Sequence, residues 1–284
     1  MQACVIGLGT IGLATAQYVS SRHITVYGYD IKQEAVEHAR QNGVNATGDW
    51  AQVPKCDVYL ICTVDSSVTT ACEQIQRKIG FSDYPLVSIE STVTPEVPRH
   101  VFEEVFDKKV RLVHVPHRYW IEQPTKHGVK QLRVIGAVDW KSLNAGVDFY
   151  KKKLGIPVHQ VASVEVAAMS KIMENAHRYY QIAFAEEMRM ICESVGLRFE
   201  DVRCASNTHF HTLIYEARQG IGGTCLPKDS HHLASLSQHN RLLKAAFEVD
   251  REYREWLESA ILRQKASMLK NGCVASQTTA TTCT

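Results

Sequence analysis

The chain has 284 residues, 45% apolar and 22% charged, with a formal net charge of +2. Those proportions describe a globular protein long enough for one large domain or two small ones, and they exclude a low-complexity or disordered chain. The charge is spread along the sequence rather than gathered into runs. It therefore implies neither a nucleic-acid surface nor an anionic-membrane patch, and small-molecule chemistry is the expectation.

The sequence opens on "MQACVIGLGTIG", which enters an apolar strand without a basic region or a cleavage site, and no apolar run reaches the length of a membrane span. Nine cysteines, at 4, 56, 62, 72, 192, 204, 225, 273 and 283, include no C-x-x-C pair. Their spacing fits neither a disulfide framework nor a zinc site, so a reducing cytoplasm is the expected location.

In chain order, the first half carries short β-branched runs: "ACVIGLG" (3–9), "ITVYGYD" (24–30), "CDVYLICTV" (56–64), "PLVSIEST" (85–92), "VRLVHVP" (110–116) and "LRVIGAV" (132–138). Continuous apolar strands separated by helical lengths predict a parallel sheet covered on both faces. The fold class is therefore α/β, with a doubly wound Rossmann domain over 1–162.

Within it, "GLGTIG" (7–12) satisfies G-x-G-x-x-G between a buried strand and a helix. Gly7 makes the tight turn, Gly9 lets a pyrophosphate approach the backbone, and Gly12 lets helix and strand pack closely. The helix start, with Thr10 and Ile11, faces the anion. Asp30, at the end of the second strand, suits the ribose hydroxyls and would repel a 2′-phosphate, so NAD is expected rather than NADP. Lys32, Thr63 and Lys228 complete the expected cofactor set.

After "PVHQV" (157–161) the pattern changes. Residues 163–195 contain neither Gly nor Pro and end at Gly196, a candidate C-cap. One long helix is predicted there, with Met169, Ile172, Met173, Ala176, Ile182, Ala183 and Met188 as its packing stripe. It would form the spine of a smaller all-helical domain over 163–270 that serves substrate binding and homodimerisation. Further helix is expected at 199–206 and 241–269, and a disordered tail at 271–284.

The helical half carries two clusters. "SKIMENAHR" places Lys171 and Asn175 four apart, on one helix face. "GIGGTCLPKDSHHL" (220–233) sets Cys225 on a glycine-rich, mobile loop beside Lys228 and Asp229. A neighbouring cation favours the thiolate, the form that attacks carbon. His209, His211, His231 and His232 lack an acidic or cysteine partner at ligand spacing, so no metal is expected.

Four stretches, "GLGTIGLATA", "SIESTVTPEVP" (88–98), "KIMENAHRYYQIAFAEEM" (171–188) and "GIGGTCLPKD" (220–229), resemble the nucleotide-sugar 6-dehydrogenases, the UDP-glucose/GDP-mannose dehydrogenase family. The resemblance covers about residues 1–260 and implies four-electron oxidation of a sugar primary alcohol to a carboxylate with NAD⁺. Cys225 would capture the aldehyde as a thiohemiacetal and carry the thioester. Asp229 and Thr92 would position water, and Lys171 and Asn175 would hold the alkoxide and oxyanion.

The sequence departs from the family in three places. It stops where a C-terminal nucleotide-sugar domain is expected, so it reads as a short member. "TVDSS" (63–67) replaces the family's Thr-Pro, and "VPHRYWIEQ" puts His117 at the family's Glu position, with Glu122 a few residues on. His117 is then a candidate base. Two alternatives stay open: a two-electron dehydrogenase of the hydroxyacid and 6-phosphogluconate type, and a non-catalytic NAD-binding paralogue.

Overall fold

A computed structural model of the chain describes the backbone of residues 1–80 and 84–275, with side chains to residue 262. Two compact units emerge, Met1–Ile172 and Met173–Thr284.

In the first unit, β1 (Gln2–Ile6), α1 (Thr10–Ser20), β2 (Thr25–Tyr29), α2 (Gln33–Gln41), β3 (Asn45–Thr47), β4 (Val58–Ile61), α3 (Val68–Lys78), β5 (Leu86–Ile89), α4 (Glu96–His100), β6 (Arg111–His114), β7 (Arg133–Ala137), α5 (Trp140–Val147) and β8 (Val158–Gln160) follow one another. The strands form one sheet in the order β3-β2-β1-β4-β5-β6-β7-β8. The chain switches direction of travel between β1 and β4, the position at which open α/β sheets bind ligands.

Strand alternation divides the core. Ala3 and Val5 of β1 face one apolar cluster with Leu13, Ala16, Leu60 and Ile135, whereas Cys4 and Ile6 face another with Ile61, Val87, Ile89 and Leu112. With both faces covered, the strands read as unbroken apolar runs, the doubly wound arrangement expected from the sequence.

Two features differ from expectation. β7 runs antiparallel to β6, pairing Val113 with Ala137 and His114 with Gly136. The stretch between them supplies no crossover helix, and a parallel return needs one. β3 and β8, three residues each, are too short to give a sequence signal.

The helix expected over 163–195 is α6 (Val164–Ser194), and the division between the units falls inside it. At about 1.5 Å per residue it reaches roughly 46 Å. It ends in a Schellman arrangement: Gly196 has φ +76, Leu197 N–H donates to Cys192 O at 2.9 Å and Gly196 N–H to Glu193 O at 3.2 Å. Of the expected packing stripe, Ile172, Ala176 and Ala183 are buried, but Met173 is exposed.

The second unit adds α7 (Phe199–Ser206), α8 (Cys225–Ser235) and α9 (Arg241–Ala275). α7 has the expected bounds, and α9 is helical past the expected end at 269. Residues 276–284, the rest of the tail read as disordered, lie outside the described residues. Tyr179 and Ala183 of α6, Ile221 of the glycine loop and Ala246 of α9 form one buried cluster of this unit.

Candidate functional site

The turn after β1 has the shape a dinucleotide pyrophosphate requires. Gly7 has φ +90, and a Cβ there would come within 2.8–2.9 Å of the Cys62 and Thr63 backbone. A Cβ on Gly12 would stand 1.8 Å from Gly7 O, so helix and strand approach too closely for any side chain. Around Gly9 the opposite holds: nothing lies within 4 Å of a built Cβ. Gly9 is the N-cap of α1, without a side-chain cap, and the first turn holds no acid. The first N–H groups, with Thr10 and Ile11, are thus left to an anion.

Asp30 shapes this turn. Its Oδ2 accepts from Leu8 N–H at 2.7 Å, and its Oδ1 accepts from the backbone N–H of Lys32 at 2.8 Å. The carboxylate is fixed at the end of β2, with lone pairs remaining for ribose hydroxyls. Thr63 and Thr92 sit past the ends of the neighbouring strands β4 and β5, where Ser91 Oγ donates to Thr63 O at 2.7 Å. These residues fit NAD, whose pyrophosphate would lie on Gly9 and the start of α1 and whose ribose would meet Asp30.

Behind the turn lies a buried polar network that the sequence reading missed. Alternation puts Ser88 and Glu90 on the sheet face of Leu86, and Arg133 on the face of Ile135, toward Tyr150. Tyr150 O–H donates to Glu90 Oε1 at 2.5 Å and lies 2.7 Å from Ser88 Oγ; Arg133 Nη1 donates to Glu90 Oε2 at 3.0 Å. Burial opposes charge on Glu90 most strongly, but Arg133, His117 and the hydrogen bonds outweigh it and bring its carboxyl down to about 2.

His117 belongs to this network. Its Nε2 lies 3.1 Å from Thr15 Oγ1 and in contact with Glu90 Oε2. The ring is 6% exposed, so the candidate base lies within the network rather than at an open strand end. Burial first, then the charge of Arg133 and more weakly that of Lys171, holds its pKa below the ordinary imidazole value against the pull of Glu90. Its Nε2 side faces the Glu90 carboxylate, inside the network. Glu122, the other expected substitute, is exposed.

Cys62, Glu90 and His117 offer ligand atoms within 4.8 Å of one another. Arg133 already occupies the Glu90 oxygen nearest the other two, which is poor chemistry for a cation site. Two signals were readable for this network: an acid in "SIEST", and an arginine opening the apolar run "RVIGA".

In the second unit the thiol is not on a mobile loop. Gly220 (φ +89) and Gly223 (φ +78) turn the chain, and Cys225 is the first residue of α8, exposed to solvent. Glycines on both sides concealed the helix start from a periodicity reading. Four residues on, and so on the same face, Asp229 is 1% exposed. Its Oδ2 accepts from Asn175 Nδ2 at 2.5 Å, and Lys228 Nζ lies 3.0 Å from its Oδ1. Lys228, read from the sequence as part of the cofactor set, pairs with Asp229. Lys171 precedes Asn175 by one turn of α6. His209, His211 and His231 are exposed. Among the described residues no helix is long and apolar enough to cross a membrane.

The family model described as "UDP-glucose/GDP-mannose dehydrogenase family, central domain" matches residues 165–252, and that described as "NAD binding domain of 6-phosphogluconate dehydrogenase" matches residues 2–117. A UDP-N-acetyl-D-mannosamine dehydrogenase of Methanococcus maripaludis is 26% identical over 92% of this chain and 67% of its own length. That of Methanocaldococcus jannaschii is 27% identical, over 87% and 64%. The chain thus spans about two-thirds of these relatives.

The structure of a UDP-D-ManNAc dehydrogenase from Pyrococcus horikoshii matches with a TM-score of 0.84 at 24% identity, over 94% of this chain and 72% of that one. A 3-hydroxyisobutyrate dehydrogenase from Mycobacterium tuberculosis shares the fold at 13% identity, with a TM-score of 0.73 over 89% of this chain and 93% of that one. With the central domain of the UDP-glucose/GDP-mannose dehydrogenases matched after an NAD-binding domain, and relatives matched across both, the chain is similar to that family and is an NAD-dependent dehydrogenase.

Proposed function

We propose that the chain oxidises a primary alcohol of a nucleotide sugar, or of a related sugar derivative, to the carboxylate, with Cys225 as nucleophile. The observation that carries the reading is the exposed Cys225 thiol at the head of α8, one turn before a buried Asp229 held by Asn175 and Lys228. NAD⁺ bound at Gly9 and Asp30 supplies the hydride acceptor for both oxidations. The relatives named as UDP-N-acetyl-D-mannosamine dehydrogenases support the substrate class.

The sulfur of Cys225 adds to the aldehyde carbon left by the first oxidation, forming a C–S bond and a thiohemiacetal hydroxyl. Loss of a second hydride and of the hydroxyl proton leaves a thioester. Water then breaks the C–S bond, returning the thiol and releasing the acid. One alcohol, two NAD⁺ and one water give one carboxylate, two NADH and three protons. Lys171 and Asn175 hold the developing oxyanions, and Asp229 with Thr92 orients the water. His117, inside the Glu90 network, supports the turn from behind.

A homodimer through α6 is part of the reading. Met173, Tyr180, Phe184, Ile191 and Val195 recur at sevens and fours along the helix and are 41–66% exposed, a stripe suited to a second copy of itself. A reducing cytoplasm suits a working free thiol.

The experiment is NADH stoichiometry with wild type and Cys225→Ser across a panel of nucleotide sugars, sugar phosphates and hydroxy acids. Two NADH per turnover, abolished in the variant, is expected. One NADH and an aldehyde or ketone, undiminished by the substitution, would select two-electron chemistry. NAD binding without NADH production across the panel would select a non-catalytic role.

A further inference from the structure

Within the glycine loop, Ile221 is held at its backbone N–H and at its carbonyl by two side chains one turn apart on α9. Ile221 N–H donates to Asp250 Oδ1 at 2.7 Å, and Ile221 O accepts from Arg254 Nη2 at 2.6 Å. Asp250 and Arg254 are themselves paired, Nε lying 3.2 Å from both carboxylate oxygens. Tyr179 O–H on α6 reaches Asp250 Oδ2 at 3.4 Å, so the same carboxylate joins α6, α9 and the loop.

The backbone is fitted to this grip. Gly220 has φ +89, and a Cβ there would come within 2.7–3.0 Å of the Arg254 side chain, so glycine is required both for the turn and for the close pass of the guanidinium. Ile221 is 3% exposed, pressed into the cluster with Tyr179, Ala183 and Ala246. Beyond it, Gly222 and Gly223 have nothing within 4 Å of a built Cβ. The chain is therefore anchored at Ile221 and passes two glycines with open space around them before α8 begins at Cys225.

Resting on the reading of Cys225 as nucleophile, we infer that Asp250 and Arg254 are positioning residues, a clamp on Ile221 that fixes where α8 starts and therefore where the sulfur is presented. Two flexible glycines would otherwise let the first turn of α8 fray, and a frayed first turn no longer presents the sulfur in one place. Neither residue touches the reacting atoms in this scheme; each acts through the loop.

The test is alkylation by iodoacetamide, followed by peptide mass spectrometry, with Cys204, also exposed, as internal reference, together with amide hydrogen exchange over 219–226. In Arg254→Ala, exchange across the loop is expected to rise about tenfold or more. Alkylation of Cys225 relative to Cys204 is expected to change about threefold or more, because the first turn of α8 no longer holds the sulfur at a fixed position. Arg254→Lys keeps the charge facing Asp250 but lacks the forked donor that reaches Ile221 O; it should be intermediate, and it serves if the alanine variant does not fold.

Unchanged exchange in folded variants overturns the clamp. So does raised exchange with unchanged alkylation, which would mark a tether that does not reach the thiol. Cys225→Ser is read separately. If two-hydride turnover survives there, the nucleophile reading falls, while the clamp still stands or falls on exchange and alkylation.

Discussion

Arg133 Nη1 lies 3.0 Å from Glu90 Oε2, with both side chains almost wholly withdrawn from water. A buried pair of this kind costs much in desolvation and is strongly destabilising to break, because the survivor is left charged and alone. Arg133→Met is expected to destabilise the first unit by about 3–5 kcal/mol, read from the urea midpoint. Adding Glu90→Gln should recover part of that loss. A double variant as unstable as the two single losses combined would show that the pair is not coupled.

The same carboxyl sets an acid limit. Glu90, brought down to about 2 from its ordinary 4.5, adds stability that is complete above the unfolded value and disappears as pH falls from 4.5 toward 2. The contribution is roughly 3 kcal/mol at most. Urea midpoints measured across this window should fall steeply in wild type and more gently in Glu90→Gln. Equal slopes would mean that Glu90 titrates normally.

Gly9 and Gly12 should separate binding from folding. A Cβ at Gly9 meets nothing within 4 Å, whereas one at Gly12 meets Gly7 O at 1.8 Å. Gly9→Val is therefore expected to melt within a few degrees of wild type yet to weaken NADH by about tenfold or more, since it fills the space of the pyrophosphate. Gly12→Val should lose both fold and binding. Fluorescence titration with NADH alongside thermal melting decides it, and undiminished affinity in Gly9→Val would move the cofactor elsewhere.

What was legible in the sequence follows from the range of each signal. Strand β1, its glycine turn and Asp30 are local, and each could be read with its reason. The reversal of β7 was not legible, because direction depends on the missing crossover rather than on anything in "LRVIGAV". Glu90, Arg133 and Tyr150 meet across residues far apart in the chain; only the burial of charges in apolar runs hinted at them. Cys225 was found through its motif, but its helix was hidden by glycines that carry no periodicity. Asp250 and Arg254 look like an ordinary exposed ion pair on a helix until Ile221 is placed between them.

The exposed stripe on α6 predicts an oligomer. Phe184→Glu, near its middle, should convert a dimer to a monomer in sedimentation velocity while leaving the helical circular dichroism unchanged, since an exposed aromatic contributes little to the fold of one copy. A wild-type monomer at all accessible concentrations would remove the dimer from the reading.

Glu186 predicts a pH effect of opposite sign. It is fully buried on α6, and among the described residues neither carboxyl oxygen has a hydrogen-bond partner. Burial, then the charge of Asp250, pushes its pKa up to about 8, with Arg254 pulling the other way. A raised carboxyl contributes fully below its unfolded value of 4.5, and the contribution is lost as pH rises through 8. Glu186→Gln should therefore match wild type near pH 4.5 and exceed it by roughly 2–4 kcal/mol near pH 9, because wild type must then ionise in the core beside Asp250. The measurement is the urea midpoint of both proteins from pH 4.5 to 9. A difference that stays constant across the range would mean that Glu186 carries its charge at neutral pH, with a partner other than those seen around Asp250.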